Sequence, residues 1–228
     1  YGLLMLAETT GDKPLRDQAA WMLATEVSAI EDYWFNVHGD LFPRNYPASV
    51  VTMVWGGKGA NATWFDANPQ SVHGINFLPV TGGSLYLGCY PNYARKNYTA
   101  LLAELADFRV TAKKPVAPQA PLDHWADVLW MHQATFDAAG AKANWAQRPP
   151  NFKVEAGNSF TQTELWLQVF DAFGTLDANV TADTPFAAAF TKNGKRSYVA
   201  WNLTDKPVTV TFSDRTLLIC PAKEISFK

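Results

Sequence analysis

The opening segment YGLLMLAETTGDKPLRDQAAWMLATEVSAIEDYWF, residues 1–35, carries the pattern that decides the fold. Apolar residues recur at spacings of three and four on both sides of a TTGD turn, as they do in amphipathic helices. In that turn, Gly11 suits the left-handed stop of one helix and Asp12 suits the N-cap of the next. Pro14 follows in the first turn, where a missing N–H costs nothing. The segment therefore predicts an αα-hairpin whose second helix covers residues 15–33.

The rest of the chain continues with helices and ends with extended segments. Helical spacing recurs in three further stretches, residues 92–108, 122–139 and 159–173, and a proline-rich connector at residues 113–121 separates the first two. Near the end, Asn193-Gly194 lies between two apolar runs, which is a strong hairpin signal. Alternating residues follow, so we expect a small antiparallel sheet of four or five strands.

Helices that come first and strands that come last predict a mainly α fold with a small C-terminal antiparallel β-sheet. We expect the helical part to cover residues 1–182 and the β-strand segment to cover residues 183–228. The chain starts inside an apolar helical run, with no Met, cap or polar residues before it. That start is typical of a fragment that begins in the middle of a helix.

Composition excludes several classes of function. The 19 Lys+Arg and 21 Asp+Glu residues give a net charge of −2, so we expect no nucleic-acid partner. No run of about 18 apolar residues predicts a membrane span. No P-loop, GxGxxG, HExxH, GxSxG or CxxC motif indicates a cofactor or metal. Cys89 and Cys220 are two free thiols or one bridge.

The stretch GGKGANATWFDANPQSVHGINFLPVTGGSLYLG, residues 56–88, follows no helix or strand period, and residues 49–55 before it could form a short strand. A loop this long is uncommon in a compact domain unless it is functional. Its aromatic residues alternate with amide, carboxylate and hydroxyl side chains, which suits the flat C–H faces and hydroxyl rings of sugars. A buried aromatic plug between helices is an equal alternative.

Isolated titratable residues favour structural roles. His38 and His73 have no second ligand at metal spacing, so hydrogen bonding within the fold is the better interpretation for each. Glu26, Glu31 and Asp32 could be interpreted as a carboxylate pair for glycoside chemistry, but solvated carboxylates on a helix surface are far commoner.

Several quoted stretches together resemble glycoside hydrolase family 81, the endo-β-1,3-glucanases or laminarinases. They are DYWFN, VVTMVWGGKGANATWF, WFDANPQSVHGINFLPVTGGSLYLG, GNSFTQTELWLQVFDAFG and TVTFSD. The resemblance covers most of the chain and includes long, unusual loops. It implies a β-sandwich domain, a linking domain and an (α/α)6 barrel, of which this chain would supply the second half of the barrel and the C-terminal strands.

The family resemblance also implies an inverting mechanism, in which a carboxylic acid protonates the glycosidic oxygen and a glutamate activates water. The family's base lies in an NQES-x-SEA-like helix that runs directly into the YGL…TGD segment. We therefore expect both catalytic groups upstream of Tyr1 and none in this chain. By itself, the chain is expected to be inactive and to require the missing N-terminal part of the same protein.

The expected role of this chain is to bind β-1,3-glucan, its expected partner. The resemblance implies that loops between helices line the cleft. We predict that Trp55 and Trp64 stack on sugar rings. The predicted contacts to hydroxyls are Lys58, Asn61, Asp66 and His73, and the weaker candidates are Tyr86, Asn45 and Tyr46.

A second class of function also fits, namely a non-catalytic carbohydrate-binding or helical interaction module with this fold. The residues that precede Tyr1 would discriminate the two. Because β-1,3-glucan is met outside the cell or at a wall, we expect an extracellular or cell-wall-associated protein.

Overall fold

The computed structural model describes residues 2–29, 67–78, 80–113 and 116–228, with the side chains of residues 26–29 and 76 left aside. It divides into two compact units. The sheet unit comprises residues 1–26 and 172–228, and the helical unit comprises residues 27–171.

The αα-hairpin forms as predicted, with α1 at Gly2–Thr10 and α2 at Lys13–Ala29. Gly11 has a φ of +69°, the left-handed conformation that ends a helix. Asp12 caps α2, because its Oδ1 accepts a hydrogen bond of 3.0 Å from the backbone N–H of Leu15. The local chemistry of the turn therefore sets the boundary between the helices.

The helical unit contains short and long helices in the described residues after α2. They are α3 at Pro69–Gly74, 3₁₀ helices at Ile75–Phe77 and Gly82–Cys89, α4 at Pro91–Thr111, α5 at Ala126–Ala134, α6 at Ala138–Ala146 and α7 at Phe160–Phe173. The predicted helix at residues 92–108 corresponds to α4. The predicted helix at residues 159–173 corresponds to α7, and Ser159 caps it, since its Oγ accepts from the N–H of Gln162 at 3.1 Å.

The expectation of an irregular loop is wrong for residues 67–78 and 80–88, which fold mostly as α3 and the two 3₁₀ helices. Two side-chain caps explain the difference. Asn68 Oδ1 accepts from the N–H of Gln70 at 3.0 Å, with Pro69 beginning the helix. Thr81 and Ser84 form a reciprocal capping box at the start of the second 3₁₀ helix. The predicted strand at residues 49–55 lies outside the described residues.

The continuous helix predicted at residues 122–139 is also wrong. Trp125 has a φ of +52°, so α5 begins only at Ala126. After α5, Asp137 caps a separate helix, because its Oδ1 accepts from the N–H of Gly140 at 3.0 Å. An N-cap carboxylate satisfies N–H groups that a new helix leaves unpaired, and here it starts α6.

The strands form two antiparallel sheets. They are β1 at Thr175–Leu176, β2 at Ala187–Lys192, β3 at Lys195–Trp201, β4 at Val208–Thr211, β5 at Leu217–Cys220 and β6 at Ile225–Phe227. The order is β1-β2-β3-β6 in one sheet and β4-β5 in the other. The predicted hairpin joins β2 to β3, with Asn193 and Gly194 at φ values of +52° and +75°. Positive φ at both positions is the type I′ geometry that suits a two-residue hairpin.

The sheet unit buries a core of apolar residues, which are Val180, Ala189, Ala200, Val210, Phe212, Leu218 and Cys220. Cys89 and Cys220 are both free thiols, and burial raises the pKa of Cys89. Helices followed by small antiparallel strands confirm the coarse fold class, whereas the single sheet of four or five strands that we predict is instead one four-stranded and one two-stranded sheet. The barrel and the domain boundary at residue 182 stay predictions.

Candidate functional site

The described part of the aromatic loop, residues 67–78 and 80–88, is anchored through α3. All six residues of α3 are buried, including the polar Gln70 and His73. A buried polar side chain costs free energy unless it finds hydrogen-bond partners. The partners of these two side chains therefore show what holds the loop in place.

Gln70 fixes α3 to the segment before α5. Its Nε2 donates to Asp123 Oδ1 at 2.8 Å, and its Oε1 accepts from the backbone N–H groups of Asp123 and His124 at 3.0 and 3.2 Å. The amide thus uses both its donor and its acceptor across a separation of more than fifty residues. This pairing sets the position of α3 in the helical unit.

Arg109, near the end of α4, holds the proline-rich connector. Its guanidinium donates to the carbonyls of Pro118, Ala120 and Pro121 at 3.3, 2.6 and 2.9 Å, and to Asp123 Oδ1 at 3.0 Å. The side chain is 3% exposed. One planar cation therefore satisfies carbonyls that an irregular segment leaves without backbone partners. Asp123 joins this cluster to Gln70.

His73 connects α3 to α4. Its Nε2 lies 2.7 Å from Glu104 Oε2, and its Nδ1 lies 3.4 Å from Asn97 Oδ1. The ring is fully buried, whereas the Glu104 side chain is 24% exposed. These contacts are those of a histidine that positions a helix through hydrogen bonds.

His132 lies in the same interior, on α5. Its ring stacks on Phe77 with centroids 3.9 Å apart and planes 17° apart. Burial, together with a smaller electrostatic effect of His73, lowers the pKa of His132 to about 3. The imidazole is therefore neutral near pH 7, because desolvation penalises its charged form.

A buried carboxylate holds the segment that leads into α7. Asp127 accepts from the N–H of Glu155 at 3.1 Å and from Asn158 Nδ2 at 2.5 Å. Burial, and then the nearby charge of Asp127, raises the pKa of Glu155. Since the oxygens of Asp127 are engaged by backbone and amide donors, its described role is to order residues 155–158.

Five of the predicted sugar contacts lie outside the described residues: Trp55, Lys58, Asn61, Trp64 and Asp66. The weaker candidates Asn45 and Tyr46 lie there too, as do His38, Glu31 and Asp32. The structure describes His73, which is fully buried, and Tyr86, which is half-buried in the second 3₁₀ helix. All of these assignments stay predictions.

Sequence reasoning missed the residues that anchor the loop, which are Gln70, Glu104, Arg109 and Asp123, and it also missed Asp127, which orders residues 155–158. Periodicity gave no signal for them, because a polar side chain on a predicted helix is usually taken as solvent-facing. The one available signal was an Arg just before a proline-rich connector, where carbonyls need donors.

Neither a metal cluster nor a membrane-spanning helix is found in the described part of the chain. Among these residues, no group of three or more His, Cys, Asp or Glu side chains could hold a metal ion. None of the described helices is long and apolar enough to cross a membrane.

Comparison with known proteins gives consistent matches. The model of the glycosyl hydrolase family 81 C-terminal domain matches residues 1–167. A glucan endo-1,3-beta-D-glucosidase of Thermobifida fusca is 39% identical over 222 residues, covering 97% of this chain and 28% of the relative. One of the same name from Acetivibrio thermocellus is 38% identical over 212 residues, covering 93% of this chain and 26% of the relative.

Two further matches extend the comparison. A primary septum glucan endo-1,3-beta-D-glucosidase of Schizosaccharomyces pombe is 28% identical over 112 residues, 47% of this chain and 11% of the relative. A solved structure of a mutant glycoside hydrolase family 81 protein from Clostridium thermocellum has a TM-score of 0.78 and 32% identity. That match covers 99% of this chain and 29% of the solved one. The chain thus spans less than a third of the length of these proteins.

Proposed function

The chain belongs to glycoside hydrolase family 81, and on that basis we propose that it is the C-terminal portion of an endo-β-1,3-glucan hydrolase. The observation that carries the proposal is the match to a relative named glucan endo-1,3-beta-D-glucosidase, at 39% identity over 97% of this chain. This chain corresponds to 28% of that relative. We therefore propose that the rest of the enzyme is formed by another part of the same polypeptide.

In the proposed enzyme, hydrolysis is inverting. One carboxylic acid protonates the leaving oxygen while a second carboxylate activates a water on the opposite face of the sugar. We assign both groups to the stretch upstream of Tyr1 and none to this chain. The described Asp127 supports this assignment, because its oxygens already accept the hydrogen bonds that order residues 155–158.

The proposed contribution of this chain is one wall of the glucan cleft. Trp55 and Trp64 would present flat aromatic faces to the C–H faces of glucose units. Such stacking buries apolar area and fixes the orientation of the sugar. Lys58, Asn61, Asp66 and Tyr86 would bind hydroxyl groups. Support comes from the density of aromatic and polar residues in this stretch and from the anchored helix α3 that follows it.

His73 has a different part in the proposal. Its ring nitrogens are already paired with Glu104 and Asn97, and the ring is fully buried. We assign His73 the role of positioning α3. Helix α3 would in turn hold the loop whose neighbouring residues are proposed to bind sugar. The proposed location, outside the cell or at a cell wall, follows from where β-1,3-glucan polymers occur.

The binding proposal is tested with Trp64→Ala, measured by affinity electrophoresis through laminarin in the longer protein that carries this chain. The matched control is Trp21→Ala, since Trp21 on α2 is 69% exposed. Loss of one stacking platform is expected to weaken retention by about tenfold, because an aromatic contact of about 1.5 kcal/mol corresponds to that factor. Equal retention of both variants would contradict the proposed stacking role.

A second test separates the enzyme from a binding module. The coding sequence before Tyr1 should encode an NQES…SEA-type helix, with a further acidic residue upstream of it. An initiator codon or an unrelated domain at that place would instead support a carbohydrate-binding or helical interaction module.

A further inference from the structure

The sheet unit contains a pocket of about 260 Å³ at which α1 meets the strands. Its lining includes Trp201, Phe186, Asp183, Thr204, Thr209 and Glu8. Pockets for drug-sized ligands measure about 300–1,000 Å³. This pocket is smaller, so its size suits a single compact group such as one hexose ring.

One side of the pocket is an aromatic platform. Trp201, at the end of β3, is 36% exposed. Its ring meets Phe186 edge-on, with centroids 6.3 Å apart and planes 71° apart, and its backbone N–H donates to the Phe186 carbonyl at 2.9 Å. The indole is thus oriented by a neighbour while part of it stays open to a ligand.

The wall beside Trp201 is held in place by Asn202. The Asn202 side chain is 2% exposed, and its Nδ2 donates to the carbonyls of Lys206, Cys220 and Pro221 at 2.8, 3.0 and 2.8 Å. Its Oδ1 accepts from the N–H and the hydroxyl of Thr204, each at 2.9 Å. A wall fixed by five hydrogen bonds loses little freedom when a ligand binds.

The rim of the pocket offers oxygen atoms. Asp183 Oδ1 accepts from the N–H of Thr211 at 3.0 Å, and a carboxylate can accept about four hydrogen bonds in all. The hydroxyl of Thr209 adds a group that can both donate and accept, and the hydroxyl of Thr204, whose hydrogen is already donated to Asn202, adds an acceptor. Glu8, whose side chain is 12% exposed, is already neutralised by an ion pair with Arg16.

These features select among ligand classes. None of the residues described as lining the pocket is Lys or Arg, so a phosphate or another anion has no cation to meet there. A flat apolar face with hydroxyls and carboxylate oxygens around it matches a neutral sugar, which has a C–H face and a ring of hydroxyls. The geometry points to a binding site for one glucosyl unit of a β-1,3-glucan on Trp201, where the choice of glucan rests on the proposed function.

The test is ¹⁹F NMR of the chain labelled with 5-fluorotryptophan, titrated with laminaritriose, with choline as the comparison ligand. The Trp201 resonance is identified by its loss in Trp201→Ala. We expect this resonance to shift and saturate with laminaritriose, and to need at least threefold more ligand in Asp183→Asn. That variant keeps the Oδ1 that accepts from Thr211 while removing the carboxylate.

Trp21→Ala, which removes an exposed indole that does not line the pocket, should leave the Trp201 titration unchanged. A Trp201 resonance that does not move with laminaritriose, or that responds to choline alone, overturns the inference. Shifts confined to Trp55 and Trp64 would overturn it while supporting the proposed cleft wall. A shift at Trp201 without any at Trp55 and Trp64 supports the pocket and contradicts the wall.

Discussion

The two units are stabilised in different ways, as their buried side chains show. In the helical unit, the buried polar residues described are Gln70, Ser71, His73, Ser84, Asn97, Arg109, Asp127, His132, Gln133, Thr135 and Thr163. The sheet unit buries a single such residue among those described, Asn202, around an apolar core. Buried polar groups are stable only when they have hydrogen-bond partners, whereas an apolar core is stable only when its volume is filled. The two units should therefore be destabilised by different changes.

The largest effect is expected from a cavity in the sheet unit. Phe212 is 2% exposed and packs edge-on against Tyr198, with centroids 4.8 Å apart. Phe212→Ala should lower the free energy of unfolding of this unit by about 3–5 kcal/mol. Hydrogen exchange measured residue by residue should show lost protection in β2 to β5. The comparison breaks if protection falls equally in α4 and α5.

The corresponding change in the helical unit is Arg109→Ala, which removes the guanidinium that holds the connector. Hydrogen bonds to charged groups contribute about 1.5–3 kcal/mol each, and water replaces part of the loss, so we expect a decrease of about 3 kcal/mol. Urea unfolding followed by hydrogen exchange in α4 and α5 measures it. Arg109→Lys is the matched control, since it keeps the charge but loses the planar fork, and it should recover less than half of the decrease.

Acid should separate the units most clearly. His132 is neutral in the folded chain, with a pKa of about 3 against an ordinary 6.5, so only the unfolded chain takes up a proton between these values. Stability of the helical unit is therefore complete above pH 6.5 and falls by about 1.4 kcal/mol per pH unit below it, or about 2 kcal/mol by pH 5.

The sheet unit responds in a lower pH range. A hydrogen bond from the Tyr198 hydroxyl chiefly lowers the pKa of Asp214 from 3.8 to about 2. That contribution to stability is present above pH 3.8 and is lost as the pH falls toward 2. Protection factors at pH 7 and pH 5 should thus decrease in α5 and stay level in β2 and β3. A slope in the helical unit that persists in His132→Gln would contradict this origin.

The smallest effect is expected from Gly194→Ala, which is compared with a change at a second glycine of the sheet unit. Gly194 has a φ of +75° with nothing near an added Cβ, so Gly194→Ala should cost about 1–2 kcal/mol from left-handed strain alone. At Gly174, with a φ of +86°, an added Cβ would lie 2.1 Å from the Thr191 carbonyl oxygen. Gly174→Ala should therefore cost clearly more. Thermal unfolding of the two variants side by side shows whether steric contact of the added Cβ or the left-handed backbone conformation contributes more to the loss of stability.

The same contrast explains how much of the fold the sequence predicts. Gly11, Asp12 and Asn193-Gly194 act on residues a few positions away, and each structure they predict is present. The break in the helix at residues 134–138 was missed, because apolar spacing continues through His132 and Phe136 while the Asp137 cap competes with it. At this position the Asp137 cap, and not the apolar periodicity, determines where the new helix begins.

The candidate site was predicted less completely than the fold. Aromatic and polar composition left sugar binding and a buried aromatic plug as equal alternatives for residues 56–88. It could not show that Gln70 and His73 would be buried among partners 24 to 54 residues away. Such pairings depend on where α3, α4 and the connector meet. A pattern of single residues carries no information on them.

The most direct test of the account is the release of reducing ends from laminarin. It compares the 228-residue chain alone with the longer protein that carries it. We predict no detectable release by the chain alone and clear endo-type release by the longer protein, because the acid and base are assigned to residues before Tyr1. Clear release by the chain alone, or none by the longer protein, would contradict it.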